Sequence, residues 1–225
     1  SDLTQTLIVV VPNSTDYGGI CQMWDDGSAI AFCPKSTYGY PLDTRGVVQH
    51  EAGGHGFGKL ADEYIYHNAF IDACQCTCCP HVMEFNAGKA KGWYANLALT
   101  GKMHEVPWSH LIYDSRYSDI VDIYEGGYMH SRGVFRSEQN SCMNNDIPYY
   151  SAISREAIVK RIMQYAGETY SFEKFVANDK RDVVTETRAS SIGSSRSASS
   201  FESAPRIHRG SPLTSLKRRA ARRHR

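Results

Sequence analysis

The chain has 225 residues, with 25 Lys/Arg against 24 Asp/Glu and seven cysteines, which is room for one medium-sized domain with a core and a further segment. Its formal charge of +1 hides an asymmetry: residues 181–225 hold 11 Lys/Arg and 3 Asp/Glu, a surplus of about +8, so residues 1–180 carry about −7. An acidic domain has no electrostatic footprint for nucleic acid, and no apolar run approaches the roughly eighteen residues of a membrane span.

Starting at Ser1, with neither a methionine nor a signal peptide, the sequence reads as a processed product or a fragment. Residues 3–11 (Leu-Thr-Gln-Thr-Leu-Ile-Val-Val-Val) alternate at first and then turn wholly apolar before Pro12-Asn13. The pattern predicts a strand buried on both faces, inside an α/β sheet. Two short runs, residues 21–24 and 29–33, flank Asp25-Asp26-Gly27-Ser28, a turn signal that predicts a hairpin. Cys21 and Cys33 sit symmetrically about residue 27 and are expected to face each other across that ladder. Pro41-Leu42-Asp43-Thr44 predicts a helix start with Asp43 or Thr44 as N-cap, and the helix runs through Val47, Val48 and two histidines to about His55.

This helix carries His50-Glu51-Ala52-Gly53-Gly54-His55-Gly56-Phe57-Gly58. Two histidines with a glutamate directly after the first are what a zinc hydrolase places on its active-site helix. Neutral imidazoles ligate the metal, and the glutamate takes a proton from the metal-bound water. The usual spacing, H-E-x-x-H, sets residues four apart on one helical face. Here the spacing is five, which on a regular helix turns the second imidazole about 140° from the first. Both reach one ion only if the helix absorbs the extra residue as a π-bulge, a distortion that occurs mostly at functional sites. Each glycine costs a helix roughly 1 kcal/mol against alanine. The four glycines between positions 53 and 58 therefore read as room: for the bulge, for a chain reversal after His55 and for close backbone approach. The competing reading, a helix with two unrelated surface histidines, leaves the glycines and the acids that follow unexplained.

The run from His50 to Tyr64 resembles the motif of the IgA-peptidase family of bacterial zinc metallopeptidases, H-E-F-G-H-S-F-G-G-L-A-D-E-Y or close to it. Gly56-Phe57-Gly58-Lys59-Leu60-Ala61-Asp62-Glu63-Tyr64 matches its S-F-G-G-L-A-D-E-Y. The departure is the additional residue between the histidines; a similarly expanded H-E-x-x-G-H occurs in the dipeptidyl peptidase III family. In zincins whose chain turns at a glycine three residues past the second histidine, the third ligand lies a few residues beyond that glycine. Gly58 holds the turn position, and Asp62 is the expected ligand, with Glu63 or a later His as alternatives. The resemblance also gives residues 29–33 the role of the edge strand that pairs with the substrate backbone. Ser137-Glu138-Gln139-Asn140-Ser141-Cys142-Met143 resembles the S/P-E-N-S-x-M segment of the same family. It implies a methionine turn in which Met143 is an apolar floor beneath the zinc and not a ligand.

From Tyr64 to about residue 135 the pattern predicts irregular loops and short helical pieces shaped around a cleft. His67, His81, His104, His110 and His130 are read there as surface or hydrogen-bonded groups. Four of the seven cysteines pack into Cys74-Gln75-Cys76-Thr77-Cys78-Cys79, which favours disulfides in an oxidising compartment over a metal cluster, with Cys142 as the thiol left over. After Pro148, the apolar stripe Ala157, Ile158, Ile162, Tyr165 and Ala166 predicts a helix stopped by Gly167. Tyr149 or Tyr150 falls near the site as an oxyanion donor. From about residue 181 the composition becomes Ser/Ala/Gly-rich and then basic, which predicts a disordered tail, residues 181–225, with no assigned function.

The expected fold is α/β (α+β), a metzincin-like zincin domain over residues 1–180. A twisted mixed sheet and the active-site helix form an upper subdomain (about 1–58), and the irregular segment forms a lower one (about 59–180). The resemblance implies a secreted, extracytoplasmic endopeptidase, monomeric, acting on a protein or peptide. Its one zinc is held by His50, His55 and Asp62, with Glu51 as general base and Met143 as support. IgA as substrate does not transfer. One rival is a dipeptidyl-peptidase-III-like exopeptidase, against which stands the absence of any Glu-Glu pair in the chain. The other is an inactive binding or adhesin module on a protease scaffold, against which stands the retained Glu51.

Overall fold

Two four-stranded mixed sheets and a set of mostly short helices make an α+β fold, seen in a computed structural model that describes residues 4–15, 18–37, 39, 43–71, 80–181 and 207–213. In chain order the elements begin with β1 (Leu7–Val10), β2 (Ile20–Trp24), β3 (Ala29–Phe32), α1 (Thr44–Val48) and a π-helical segment (Gln49–Phe57). They continue with β4 (Ile65–Phe70), α2 (Pro80–Ala90), β5 (Leu97–Ala98), α3 (Ser109–Ile112), β6 (Tyr124–Gly127) and β7 (Met129–Arg136). α4 (Cys142–Asn145), α5 (Ala152–Ala166), α6 (Phe172–Asn178) and β8 (Ile207–His208) complete the order. No helix among the described residues is long and apolar enough to cross a membrane.

The first sheet runs β1-β3-β2-β8 and packs its buried face, Cys21, Met23, Ala29 and Ala31, with Val47 and Ala52 of the helix that follows. β1 is parallel to β3, and β2 is antiparallel to it. Two expectations are corrected here. β1 is an edge strand rather than a doubly buried one: Ile8, Val9 and Val11 are 37%, 44% and 58% exposed, and only Leu7 joins the core. A continuous apolar run carries no period that separates an interior strand from an edge one. Conversely β3, expected at the substrate-pairing edge, is enclosed between β1 and β2, so its backbone has no free side to offer.

The hairpin forms, but off centre. Gly27 takes φ +87 in the turn, and the register pairs Cys21 with Ala31, leaving Cys33 bonded through its amide to the Val10 carbonyl. Cys21 and Cys33 therefore do not oppose each other, and they are free thiols. Residues 74–79, with the other four cysteines, lie outside the described residues.

The lower region is not merely irregular. β4, β7 and β5 form a second sheet, with β6 also on β7. Its strands escape a periodicity reading because β5 is two residues long and the β4–β7 ladder shifts register twice. α5 starts and stops as the sequence predicts, with Gly167 at φ +70 as its left-handed cap. Only its first half is buried, though, and Ile162 and Tyr165 of the expected stripe are exposed. Within the stretch expected to be structureless, Ile207–His208 pairs in parallel with Met23 and Trp24.

Asn96 connects this framework to the loop that follows the π-helical segment. Fully buried, it accepts from the Ala61 amide at 2.9 Å and donates to the Ala61 carbonyl at 2.8 Å and to Glu63 Oε1 at 2.9 Å. Asn96→Ala leaves those partners buried and unmet, at about 1–3 kcal/mol each. The variant is expected to lose about 3 kcal/mol or more, read from the urea midpoint at unchanged slope.

Candidate metal centre

Asp43 caps α1 by accepting from the Arg45 amide, and the helix widens at once into the π-helical segment. The Gly58 amide bonds the Gly53 carbonyl at 2.9 Å, a five-residue step, and Tyr150 donates to the Gln49 carbonyl at 2.5 Å. In the wider coil the fifth residue returns to the face of the first. The His50 and His55 rings accordingly stand 4.9 Å apart, with their Nε2 atoms at 3.1 Å.

The glycines of this segment are contact points rather than conformational hinges, since none of those at 53, 54, 56 and 58 has a positive φ. A Cβ on Gly54 would collide with the Met143 sulfur, one on Gly56 would approach Leu7 of β1, and one on Gly53 would approach the Tyr150 hydroxyl. The left-handed residue of the chain reversal is Lys59, at φ 54, one position after the expected Gly58.

Beyond Lys59 the loop is pinned on both sides. The Tyr128 amide bonds the Asp62 carbonyl, and the Glu63 amide bonds the Met143 carbonyl. This brings Asp62 Oδ1 to 2.9 Å from His50 Nε2 and 3.1 Å from His55 Nε2. Glu63 points elsewhere, accepting from Ser141 Oγ at 2.5 Å and from Asn96. Among the described residues, His50, His55 and Asp62 are the group whose ligand atoms all lie within 4.8 Å of one another.

The second nitrogens decide what this group can do. His55 Nδ1 is 2.8 Å from the Leu60 carbonyl, and His50 Nδ1 is 2.8 Å from both the Cys142 carbonyl and Asp146 Oδ1. Carbonyls and carboxylates only accept, so both Nδ1 atoms carry the proton, and a neutral imidazole then has a bare Nε2. Two bare nitrogens and a carboxylate oxygen thus converge within 3.1 Å, and Asp62 Oδ2 is buried without a hydrogen-bond partner. Three converging lone pairs repel unless a cation lies among them. Ligand atoms on a tetrahedral ion with ~2.05 Å bonds stand about 3.3 Å apart, close to the spacing found. The set can hold a metal ion.

Burial works against charge on His50, but the Asp146, Asp62 and Glu51 carboxylates outweigh it and raise its pKa well above the ordinary value. Asp62 is the reverse case: burial pushes it up, yet His55 and His50 hold it well below the usual carboxylate range. Glu51, 7% exposed, ends above its ordinary value, mainly through burial, with Asp62 and Asp146 adding to the shift and the histidines opposing it. A loop covers it, so that a Cβ on Gly19 would collide with its side chain.

Asp146 is a residue the sequence reading missed. It sits at φ 58 as the left-handed cap of α4, and it follows Met143 with no spacing that marks it as a partner of His50. Tyr149 and Tyr150, read as oxyanion donors, spend their hydroxyls on Glu138 and on the Gln49 carbonyl. Glu138 is pushed up to about 7, chiefly by burial, and accepts the Ala152 amide at the start of α5. Of the five histidines set aside, His104 is exposed, His110 bonds Glu156 at 2.8 Å, and His67, His81 and His130 lie together. Burial and the two neighbouring rings push His130 down to about 4.

Comparison of the chain with protein-family models and with curated protein sequences finds no match.

Two expectations follow from this geometry. Asp146→Asn keeps a residue that tolerates the left-handed conformation but removes the charge behind His50. It should weaken metal binding by about 10–100-fold in competition with a chelating dye, with the circular dichroism spectrum unchanged. The second concerns pH. His50 has a raised pKa in the folded state, so its contribution to metal-free stability is complete below the unfolded value near 6.5 and is lost as pH rises through the folded one. A metal ion replaces that proton. The melting-temperature gain on adding metal should therefore grow as pH rises from 6 to 8.5, and a gain that falls over that range would contradict the proton–metal exchange.

Proposed function

We propose that the chain is a zinc-dependent endopeptidase of the IgA-peptidase, metzincin-like type. In this reading a zinc ion is held by His50, His55 and Asp62, and the protein acts on proteins or peptides outside the cytoplasm as a monomer. The observation that carries the reading is the convergence of His50 Nε2, His55 Nε2 and Asp62 Oδ1 beside the buried, base-shifted Glu51. Two imidazoles and a carboxylate suit zinc, and three protein ligands leave a fourth position for substrate or water. A zinc ion bound there would supply Lewis acidity to the scissile carbonyl and make the attacking water acidic.

The chain's own groups do the rest. The Cys142 and Leu60 carbonyls fix the imidazole tautomers, and Asp146 keeps the His50 ring basic. Asn96 and Ser141 hold Glu63, and with it the backbone that presents Asp62. Met143, fully buried against Gly54, gives the segment an apolar floor. Glu51 accepts the proton of the water and returns it to the leaving amine; its raised pKa makes the carboxylate a stronger acceptor than an exposed one.

One observation favours a second reading, a metal that only braces an inactive scaffold: His50, His55 and Asp62 are each 1% exposed. Structural sites are closed in this way. Glu51 separates the two. Glu51→Gln preserves size and hydrogen bonding but cannot take a proton. At matched zinc occupancy it should reduce kcat/KM on a denatured-protein panel by at least about 10²–10⁴-fold without changing the melting temperature by more than a few degrees. If wild type cleaves nothing while binding one zinc tightly, the bracing role stands instead. If the glutamine variant retains more than about a tenth of the activity, Glu51 is not the base.

A further inference from the structure

Three histidines that play no part at the metal centre meet on the second sheet. His67 lies on β4, His130 on β7, and His81 in the first turn of α2. β4 and β7 are parallel, and their register makes His67 and His130 direct partners, flanked on β4 by two register shifts. Such irregularities re-aim side chains and gather next to functional sites. His81 Nδ1 is 2.7 Å from His130 Nε2. The ring centres of His81 and His130 are 5.0 Å apart, and those of His67 and His130 are 5.7 Å apart.

These two ring spacings match those of imidazoles around one ion. With ~2.1 Å metal–nitrogen bonds, each ring centre stands about 3.2 Å from the ion, and two rings at the tetrahedral angle stand roughly 5.2 Å apart. The His50–His55 pair of the candidate centre stands at a similar 4.9 Å.

His130 is 7% exposed, and its Nδ1 is buried with no hydrogen-bond partner. The pair is unsettled in either tautomer. If Nε2–H donates to His81, Nδ1 keeps a buried lone pair that no donor meets; if Nε2 accepts from His81 Nδ1–H, the Nδ1–H of His130 is a buried donor with no acceptor. The two nitrogens of one ring point apart, so an ion shared with His81 takes Nε2 in place of their hydrogen bond. A hydrogen bond between His81 and His130 accounts for one contact, but it meets neither the partnerless Nδ1 nor the third imidazole on the paired strand. His67 is exposed and His81 half-buried, so an ion can arrive from solvent. Closing the set requires the exposed His67 ring to turn, since among the described residues it is the His50, His55 and Asp62 atoms that all lie within 4.8 Å of one another.

We propose that His67, His81 and His130 form a second metal site, for a divalent ion that favours imidazole nitrogen, which fastens the start of α2 to the β4–β7 pair. Three neutral nitrogens without a carboxylate suit zinc, copper or nickel over magnesium or calcium. The proposal does not rest on peptidase activity.

The test is zinc titration of the full folded chain with its solvent-accessible thiols alkylated, so that exposed sulfur contributes nothing, for the parent and for the double variant His67→Gln/His81→Gln. The parent should bind two zinc ions and the double variant one, and the second ion should raise the melting temperature of the parent alone. A parent that takes fewer than two ions, or a double variant that keeps two, overturns the proposal. If the double variant does not fold, His67→Gln alone at its exposed position should weaken the second ion at least tenfold, and unchanged affinity overturns it equally.

Discussion

The structure depends on one local distortion, the widening of the helix at Gln49–Phe57. On a regular helix His50 and His55 would point about 140° apart, and no arrangement of the remaining fold would bring both to one ion. The widened turn returns them to a common face, with ring centres 4.9 Å apart. Its irregular backbone needs partners, and Tyr150 provides one by donating to the Gln49 carbonyl. The glycines then turn a costly segment into a hub. Met143 rests on Gly54, Leu7 of the edge strand on Gly56, and Ile158 of α5 lies against Gly58. Elements far apart in the chain thus lock the coil that sets the histidines.

Electrostatics gives the second constraint. Glu51, Asp62 and Asp146 are all buried around two histidines whose Nδ1 protons are committed to acceptors. Three buried carboxylates against neutral imidazoles are expensive to hold in a low-dielectric interior. Protonating His50 relieves part of the cost, which is why its pKa rises against the effect of burial. A divalent cation relieves more, and the converging lone pairs give it a place. The same imbalance explains the opposite shifts of two carboxylates in one enclosure: Asp62 bonds both imidazoles and is held ionised, whereas for Glu51 burial outweighs the opposing effect of the two histidines.

How much of this the sequence carried depends on whether the information was local. The two histidines, the neighbouring glutamate and the five-residue spacing left two readings, an accident of sequence or a π-type turn, because helical geometry offers no other way to bring both rings to one ion. Asp62 was legible from its distance beyond Gly58, although the left-handed residue proved to be Lys59. Asp146 was not legible. It reaches His50 only because α4 ends in a left-handed residue, and a short helix of four residues gives no periodic signal. The second sheet was hidden for a related reason, as a two-residue strand and a ladder with two register shifts leave nothing for alternation to show. The edge position of β1 lay beyond local reading altogether, since pairing order is fixed by which strands the rest of the chain supplies.

The enclosure of the site bears on function in two opposed ways. Ligands that are 1% exposed are hard for a substrate to reach, which favours a bracing metal. Yet the same enclosure raises the Glu51 pKa and excludes the solvent that would otherwise screen it. A bracing metal needs only its ligands. It has no use for a buried carboxylate that ligates nothing and adds negative charge to an interior already rich in it. A non-ligating acid kept beside a metal set, under a loop where Gly19 gives way to its side chain, costs stability and returns nothing unless it moves a proton. That asymmetry is the physical ground on which the proposed catalytic role rests, and the one that a bracing metal leaves without a use.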